Sequence, residues 1–125
     1  GYAVLSINKN TNVEISFDLK VKLIRCSNLV RANIGKVAVA RGPVVYCAES
    51  IDNCENLQLL KINPNGDFVV NENGTIIADG FVEQPDESLY DEYKPVPLKK
   101  CKITLIPYNS WGNRGETEMS VYLRV

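Results

Sequence analysis

The chain has 125 residues, 45% of them hydrophobic and 23% charged, and its 14 basic and 15 acidic side chains leave a net charge of −1. Such a composition describes one ordinary globular domain over 1–125, large enough to bury a core without cross-links. A balanced charge without a Lys/Arg cluster excludes nucleic acid as a partner, and no apolar run approaches the ~18 residues of a membrane span.

In chain order, the first segment, "GYAVLSI" (1–7), has the character of a strand. In "VEISFDL" (13–19), Val13, Ile15, Phe17 and Leu19 alternate with Glu14, Ser16 and Asp18, which predicts a half-buried strand with one wet face. "KVAVAR" (36–41) and "PVVYCAE" (43–49) are apolar on both faces, as central strands covered on two sides would be. Gly42-Pro43 bends the chain between them, and Pro43, lacking an N–H, is expected as the first residue of its strand. Asn73-Gly74 lies between "FVV" and "TII" and predicts a type I′ hairpin. "EQPDESLYDEYKPVP" (83–97) is acidic and proline-rich, as a long surface loop would be. "CKITLIPY" (101–108) and "EMSVYLRV" (118–125) complete the set, with Met119, Val121 and Leu123 expected on one side. No window keeps the repeat of an amphipathic helix. The sum is about eight to ten short strands in an all-β, antiparallel, jelly-roll-like β-sandwich. Because the sequence starts without Met and inside a strand pattern, a fragment of a larger chain is expected.

Chemistry-bearing residues are sparse. Histidine is absent, so the commonest general base and metal ligand are both missing. The four cysteines, Cys26, Cys47, Cys54 and Cys101, form no C-x-x-C pair, and no zinc site fits them without His. Cys26 with Cys101 is the pair to test for a disulfide, although the composition leans to a reducing compartment and a cytoplasmic rather than secreted location. Cys47 lies two residues before Glu49, about 7 Å away on the same side of an extended strand. With Val44, Val45, Tyr46 and Ala48 as neighbours it is expected to be a packed, inert thiol rather than a nucleophile. Asp86, Glu87, Asp91 and Glu92 could supply the carboxylate pair of a glycosidase, but in a polar loop solvation would keep both ionised. Tyr90, Tyr93, Tyr108 and Trp111 suit either a platform for sugar rings or an interface between domains. The interface is the preferred reading. Asn73-Gly74-Thr75 matches a glycosylation acceptor that the hairpin already explains.

Two segments go further. "RANIGKVAVARGPVVYCAESIDN" (31–53) resembles the G-K-V-A-L-x-R-G-P-L-V-Y-C-x-E-x-x-D-N run of glycoside hydrolase family 127, the β-L-arabinofuranosidase family formerly catalogued as a domain of unknown function. "IPYNSWGNRGETEMSVYL" (106–123) is similar to the family's closing I-P-Y-x-x-W-x-N-R-G-x-x-x-M-x-V-W-L, with Tyr122 where Trp is common. Leu19-Lys20-Val21 departs from the L-P-M-x-V-R that often precedes the first run.

The resemblance implies that an (α/α)6 barrel in the parent protein carries the chemistry, with a zinc held by Cys and Glu and a cysteine nucleophile. β-sandwich domains follow that barrel, and this chain resembles the C-terminal part alone. No cysteine here matches the metal or nucleophile motif, so no catalytic residue and no cofactor is expected in this chain. Arg41, Gly42, Pro43, Tyr46, Cys47, Asn113, Arg114 and Gly115 then have structural roles, with Arg41 a candidate for a buried charge pair. The expected function is a non-catalytic accessory domain that supports the barrel, with a homodimer contact as a further expectation. A carbohydrate-binding module for arabinose-containing glycans is the first rival, and a small autonomous hydrolase using the loop carboxylates is the second.

Overall fold

The computed structural model describes residues 2–7, 9–10, 12–84 and 88–125. Among them there are nine strands and no α-helix: β1 (Val21–Arg25), β2 (Lys36–Arg41), β3 (Val44–Glu49), β4 (Leu60–Ile62), β5 (Phe68–Val70), β6 (Ile76–Glu83), β7 (Leu98–Pro107), β8 (Met119–Ser120) and β9 (Tyr122–Arg124). The protein is all-β, as the pattern predicts, but the sheet closes on itself. β2, β9, β4, β6, β7 and β3 are successive neighbours, and β3 returns to β2. The result is a six-stranded barrel rather than a jelly-roll sandwich. β1, β5 and β8 lie outside the ring, on β2, β6 and β3.

Closure follows from how one hairpin splays. β2 and β3 pair only near their turn, with Val39 opposite Tyr46 and Arg41 opposite Val44. Beyond that the two strands separate, and the C-terminal segment fills the gap. Met119 and Ser120 pair with Glu49 and Ala48, while Tyr122, Leu123 and Arg124 pair with Ala38, Val37 and Lys36. The single strand expected over 118–125 is therefore two, broken at Val121 where the chain changes partner. Lys61 opposite Arg124 supplies the one parallel contact that completes the ring. A closed sheet leaves few edges to protect.

The interior takes every second residue of the longest pair. Ile76 and Ala78 of β6 and Ile103 and Leu105 of β7 are fully buried, with Val39, Tyr46, Ala48, Leu57, Leu60, Ile62 and Leu123 around them. Each large aliphatic side chain buried this way contributes roughly 1.5–3 kcal/mol. Gly80 stands at the next inward position because nothing larger fits there. A Cβ at that point would lie 2.4 Å from Ile103 Cδ1 and 2.6 Å from the Lys61 carbonyl oxygen.

Three local expectations change. Gly42 and Pro43 together form the two-residue turn between β2 and β3, so the strand begins at Val44 rather than Pro43. Gly42 has φ +59, as a hairpin turn with Gly at its first central position requires. The Asn73-Gly74 turn is not type I′, because Gly74 alone has positive φ. Asn71 N–H donates to Thr75 O (2.9 Å) and Gly74 N–H to Asn71 O (3.0 Å), which makes a three-residue loop with Gly in the left-handed position. The segments 2–7 and 12–20 form no strand despite their pattern. They have no neighbour to pair with, and an isolated strand has no ladder to hold it.

Candidate interface site

The two family-like segments meet at one end of the barrel, on its outer face. β3 is buried on both sides from Tyr46 to Glu49. Tyr46 and Ala48 face the core, whereas Cys47 and Glu49 point outward by alternation. A loop following β7 covers them. The turn Tyr108–Ser110 packs against β3, and glycines at 112 (φ +74) and 115 (φ +123) let the chain double back. Asn113 Nδ2 donates to Ser110 O (3.1 Å), which closes the loop on itself.

Glu49 pins that loop. Its residue is 1% exposed, and an unpaired carboxylate there would be costly to desolvate. Oε1 accepts from Gly112 N–H (2.8 Å), and Oε2 accepts from Arg114 Nη2. Arg114 also grips Asp52, donating from Nη1 to Oδ1 at 2.9 Å. Asp52 first and then Glu49 push the guanidinium further up from its already high range, so it stays charged. Charge-assisted bonds of this kind offset the burial of Glu49 and fix geometry as well. Asn53 fastens the same end: Nδ2 donates to Glu49 O (2.8 Å), and Oδ1 accepts from Thr104 N–H (2.9 Å). Farther along, Ser50 N–H donates to Glu118 O (2.9 Å), and Glu118 Oε2 accepts from Leu57 N–H (3.0 Å).

The pinned loop carries two aromatic rings. Tyr108 and Trp111 are 47% and 41% exposed, with centroids 6.5 Å apart and planes tilted by 51°. Tyr108 also borders a shallow hollow of about 360 Å³ with Pro43, Val44, Val45 and Asn109. Val44 and Val45 are both exposed, so the covering expected over both faces of this strand begins only at Tyr46. Tyr90 and Tyr93 lie fully exposed in the connection between β6 and β7, and the structure pairs neither ring with another among the described residues.

Other candidates separate clearly. Cys47 is fully buried, and its Sγ–H points at Ile106 O (3.8 Å). Burial first, then the Glu49 charge, pushes its thiol up to about 11, the opposite of what a nucleophile needs. All four thiols are free, so Cys26 and Cys101 are not joined. Cys26 instead donates to Tyr122 Oη (2.9 Å) and accepts from Asn33 Nδ2 (3.6 Å). Cys54 and Cys101 border the core, and burial raises both. Asp86 and Glu87 lie outside the described residues. Asp91 is held below the usual carboxylate range by Lys94 (2.8 Å), which suits an ionised surface group rather than a general acid. No group of three or more Cys, Asp or Glu is placed to hold a metal among the described residues.

Arg41 is not in a charge pair among the described residues; its Nε donates to the Leu19 carbonyl (3.0 Å). The charge pair with a buried member is Glu49 with the half-exposed Arg114. Sequence reasoning placed the arginine at the wrong motif and missed Glu49, Asp52 and Asn53 as anchors. The available signal was an acid inside an otherwise apolar strand, which requires a cation from elsewhere in the chain.

A larger hollow, of about 520 Å³, lies over β6 and β7, with Asn63, Asp79, Phe81, Lys100 and Lys102 in its wall. Its carboxylate is committed, since Asp79 accepts from Lys102 Nζ and from Asp67 N–H (3.1 Å).

The fold has counterparts among glycoside hydrolases. Residues 21–124 match the glycoside hydrolase family 127 C-terminal domain. The chain belongs to that family. It is 31% identical, over 99% of its length, to the non-reducing end β-L-arabinofuranosidase of Bifidobacterium longum subsp. longum, of which it covers 21%. Among solved structures, it is similar to a family 127 β-L-arabinofuranosidase from Geobacillus stearothermophilus T6, with 38% identity and a TM-score of 0.69 over 86% of this chain and 18% of that one. A second family 127 β-arabinofuranosidase gives 34% identity and a TM-score of 0.72 over 87% of this chain and 18% of that one. The chain thus spans about a fifth of the length of these relatives.

Proposed function

We propose that this chain is a non-catalytic C-terminal accessory domain of a family 127 β-L-arabinofuranosidase, and that it docks against the catalytic domain through the Tyr108–Trp111 surface. The observation that carries the reading is a half-exposed aromatic pair on a loop locked by a fully buried carboxylate. Rigid aromatic anchors beside small apolar residues are what a domain interface uses. Pro43, Val44 and Val45 supply that apolar surround. Two rings tilted by 51° make a poor flat platform for a pyranose or furanose face, which favours protein over sugar as the occupant. The zinc and the cysteine nucleophile implied for the family would belong to the catalytic domain.

The test places Trp111→Ala and Tyr108→Ala in both the 125-residue chain and the full-length protein. The unfolding midpoint of the short chain is expected to fall less than that of the full-length protein, and the short chain should turn over no aryl arabinofuranoside. The full-length midpoint should fall. Turnover by the short chain, or variants silent in both contexts, would remove the proposal. Sedimentation of the full-length variants separates loss of a subunit contact from loss of contact within one chain.

A further inference from the structure

The described residues before β1 belong to no strand, yet Val13–Leu19 carries the clearest strand pattern in the sequence. Ile15 and Phe17 are 69% and 74% exposed, and Val13 and Leu19 are exposed beside them. Glu14, Ser16 and Asp18 stand between. A second arm, Tyr2 to Ile7, exposes Val4, Leu5 and Ile7 as well. Between the two segments Asn10 has φ 64, a conformation Asn tolerates better than most residues. Val13–Leu19 has the layout of a strand with one apolar face and no sheet to lie in.

The end of this segment, Leu19, is fixed to the barrel. Leu19 O accepts from Arg41 Nε (3.0 Å), and Leu19 Cδ2 lies 2.8 Å from where a Gly42 Cβ would stand. Leu19 N–H bonds Phe17 O (3.0 Å) and Lys20 N–H bonds Asp18 O (3.2 Å). These tight local bonds turn the chain just before β1, and Val13–Phe17 stays exposed. The family C-terminal domain begins at residue 21, whereas the Bifidobacterium relative aligns with 99% of the chain. Most of these leading residues therefore have counterparts in the longer protein, outside the C-terminal domain.

We propose that residues 2–19 are two strands of a β-sheet belonging to the part of the longer protein that lies outside this chain. The inference rests on the reading that the chain works within a longer family 127 protein. An extended segment with free N–H and C=O groups and an apolar residue at every second position is recognised by the edge and dry face of a sheet. The acidic and hydroxyl residues between them require that sheet to be wet on its other face. A second copy of this chain is a poor partner, because antiparallel pairing centred on Ser16 sets Glu14 against Asp18, and like charges directly opposite destabilise a ladder.

Amide hydrogen exchange on the 125-residue chain and on the full-length protein tests this. Residues 13–19 should exchange near the random-coil rate in the short chain and at least about 100-fold more slowly in the full-length protein, where they join a ladder. Ile15→Asp and Phe17→Asp should lower the full-length unfolding midpoint and leave that of the short chain unchanged. Fast exchange in both proteins would overturn the proposal. So would protection in the short chain that grows with its concentration, since the partner would then be a second copy. Protection of 13–19 alongside a silent Trp111→Ala would defeat the docking surface alone and leave the strand assignment standing.

Discussion

The loop from Tyr108 to Glu118 and the segment from Tyr2 to Lys20 fail in opposite ways to look like what they are. The loop has almost no regular structure, yet a buried glutamate, an arginine bound to two carboxylates and a row of backbone bonds hold it in place. The leading segment alternates cleanly only over Val13–Leu19 and forms no strand among the described residues. Order is conferred by satisfied partners, not by pattern, because an apolar face lowers free energy only when another surface covers it and a backbone donor only when it is paired.

Removing the loop's anchor should produce the largest change. Glu49→Ala leaves Gly112 N–H without its acceptor while Arg114 keeps Asp52, and the loss of the charge-assisted bonds to Glu49 costs about 2 kcal/mol. Urea unfolding should show a lowered midpoint, and Trp111 fluorescence should report a loosened loop before the barrel melts. Cys47 tests whether the loop seals the face below it. With its thiol pushed up to about 11 from an ordinary 9.0, ionisation alone slows its reaction with a disulfide reagent about 100-fold. Titration should therefore find one thiol hidden until unfolding. The same shift favours the folded state below pH 9, and that contribution should fade as the pH climbs towards about 11.

The joint between the two regions comes next. Gly42→Ala forces a side chain into positive φ and towards Leu19, at a cost of about 1 kcal/mol. Calorimetry should register it in the short chain. A smaller effect is expected in acid. Lys102 holds Asp79 low, Lys61 holds Glu83 low and Lys94 holds Asp91 low. Depressed carboxylates stabilise the fold above their ordinary range and stop doing so as the pH falls through their folded values. The midpoint should thus decline in acid and stay level across about pH 6 to 8, where the chain has no histidine to titrate. Smallest of all, Phe17→Ser should move the stability of the short chain by less than about 0.5 kcal/mol.

The legible part of the sequence was whatever depends on local pattern. β2, β3, β6 and β7 follow from their apolar runs and turn residues, and the buried, unreactive Cys47 follows from its neighbours. The break at Val121 was hidden, because it answers to the splaying of β2 from β3 rather than to any residue nearby. Closure into a barrel rests on that break and was hidden with it. The Glu49–Arg114 pair joins positions 65 apart in sequence. Each residue announced a need for a partner, but only the fold could match them. The pattern at 13–19 predicted a half-buried strand, and the chain leaves those residues exposed and without a ladder.

Hydroxyl-radical footprinting of the aromatic side chains, in the short chain and in the full-length protein, bears most directly on whether this domain serves by docking. Trp111 and Tyr108 should be readily modified in the short chain and protected in the full-length protein, with Tyr90 and Tyr93 open in both. Equal modification of Trp111 in the two proteins would contradict the docking surface.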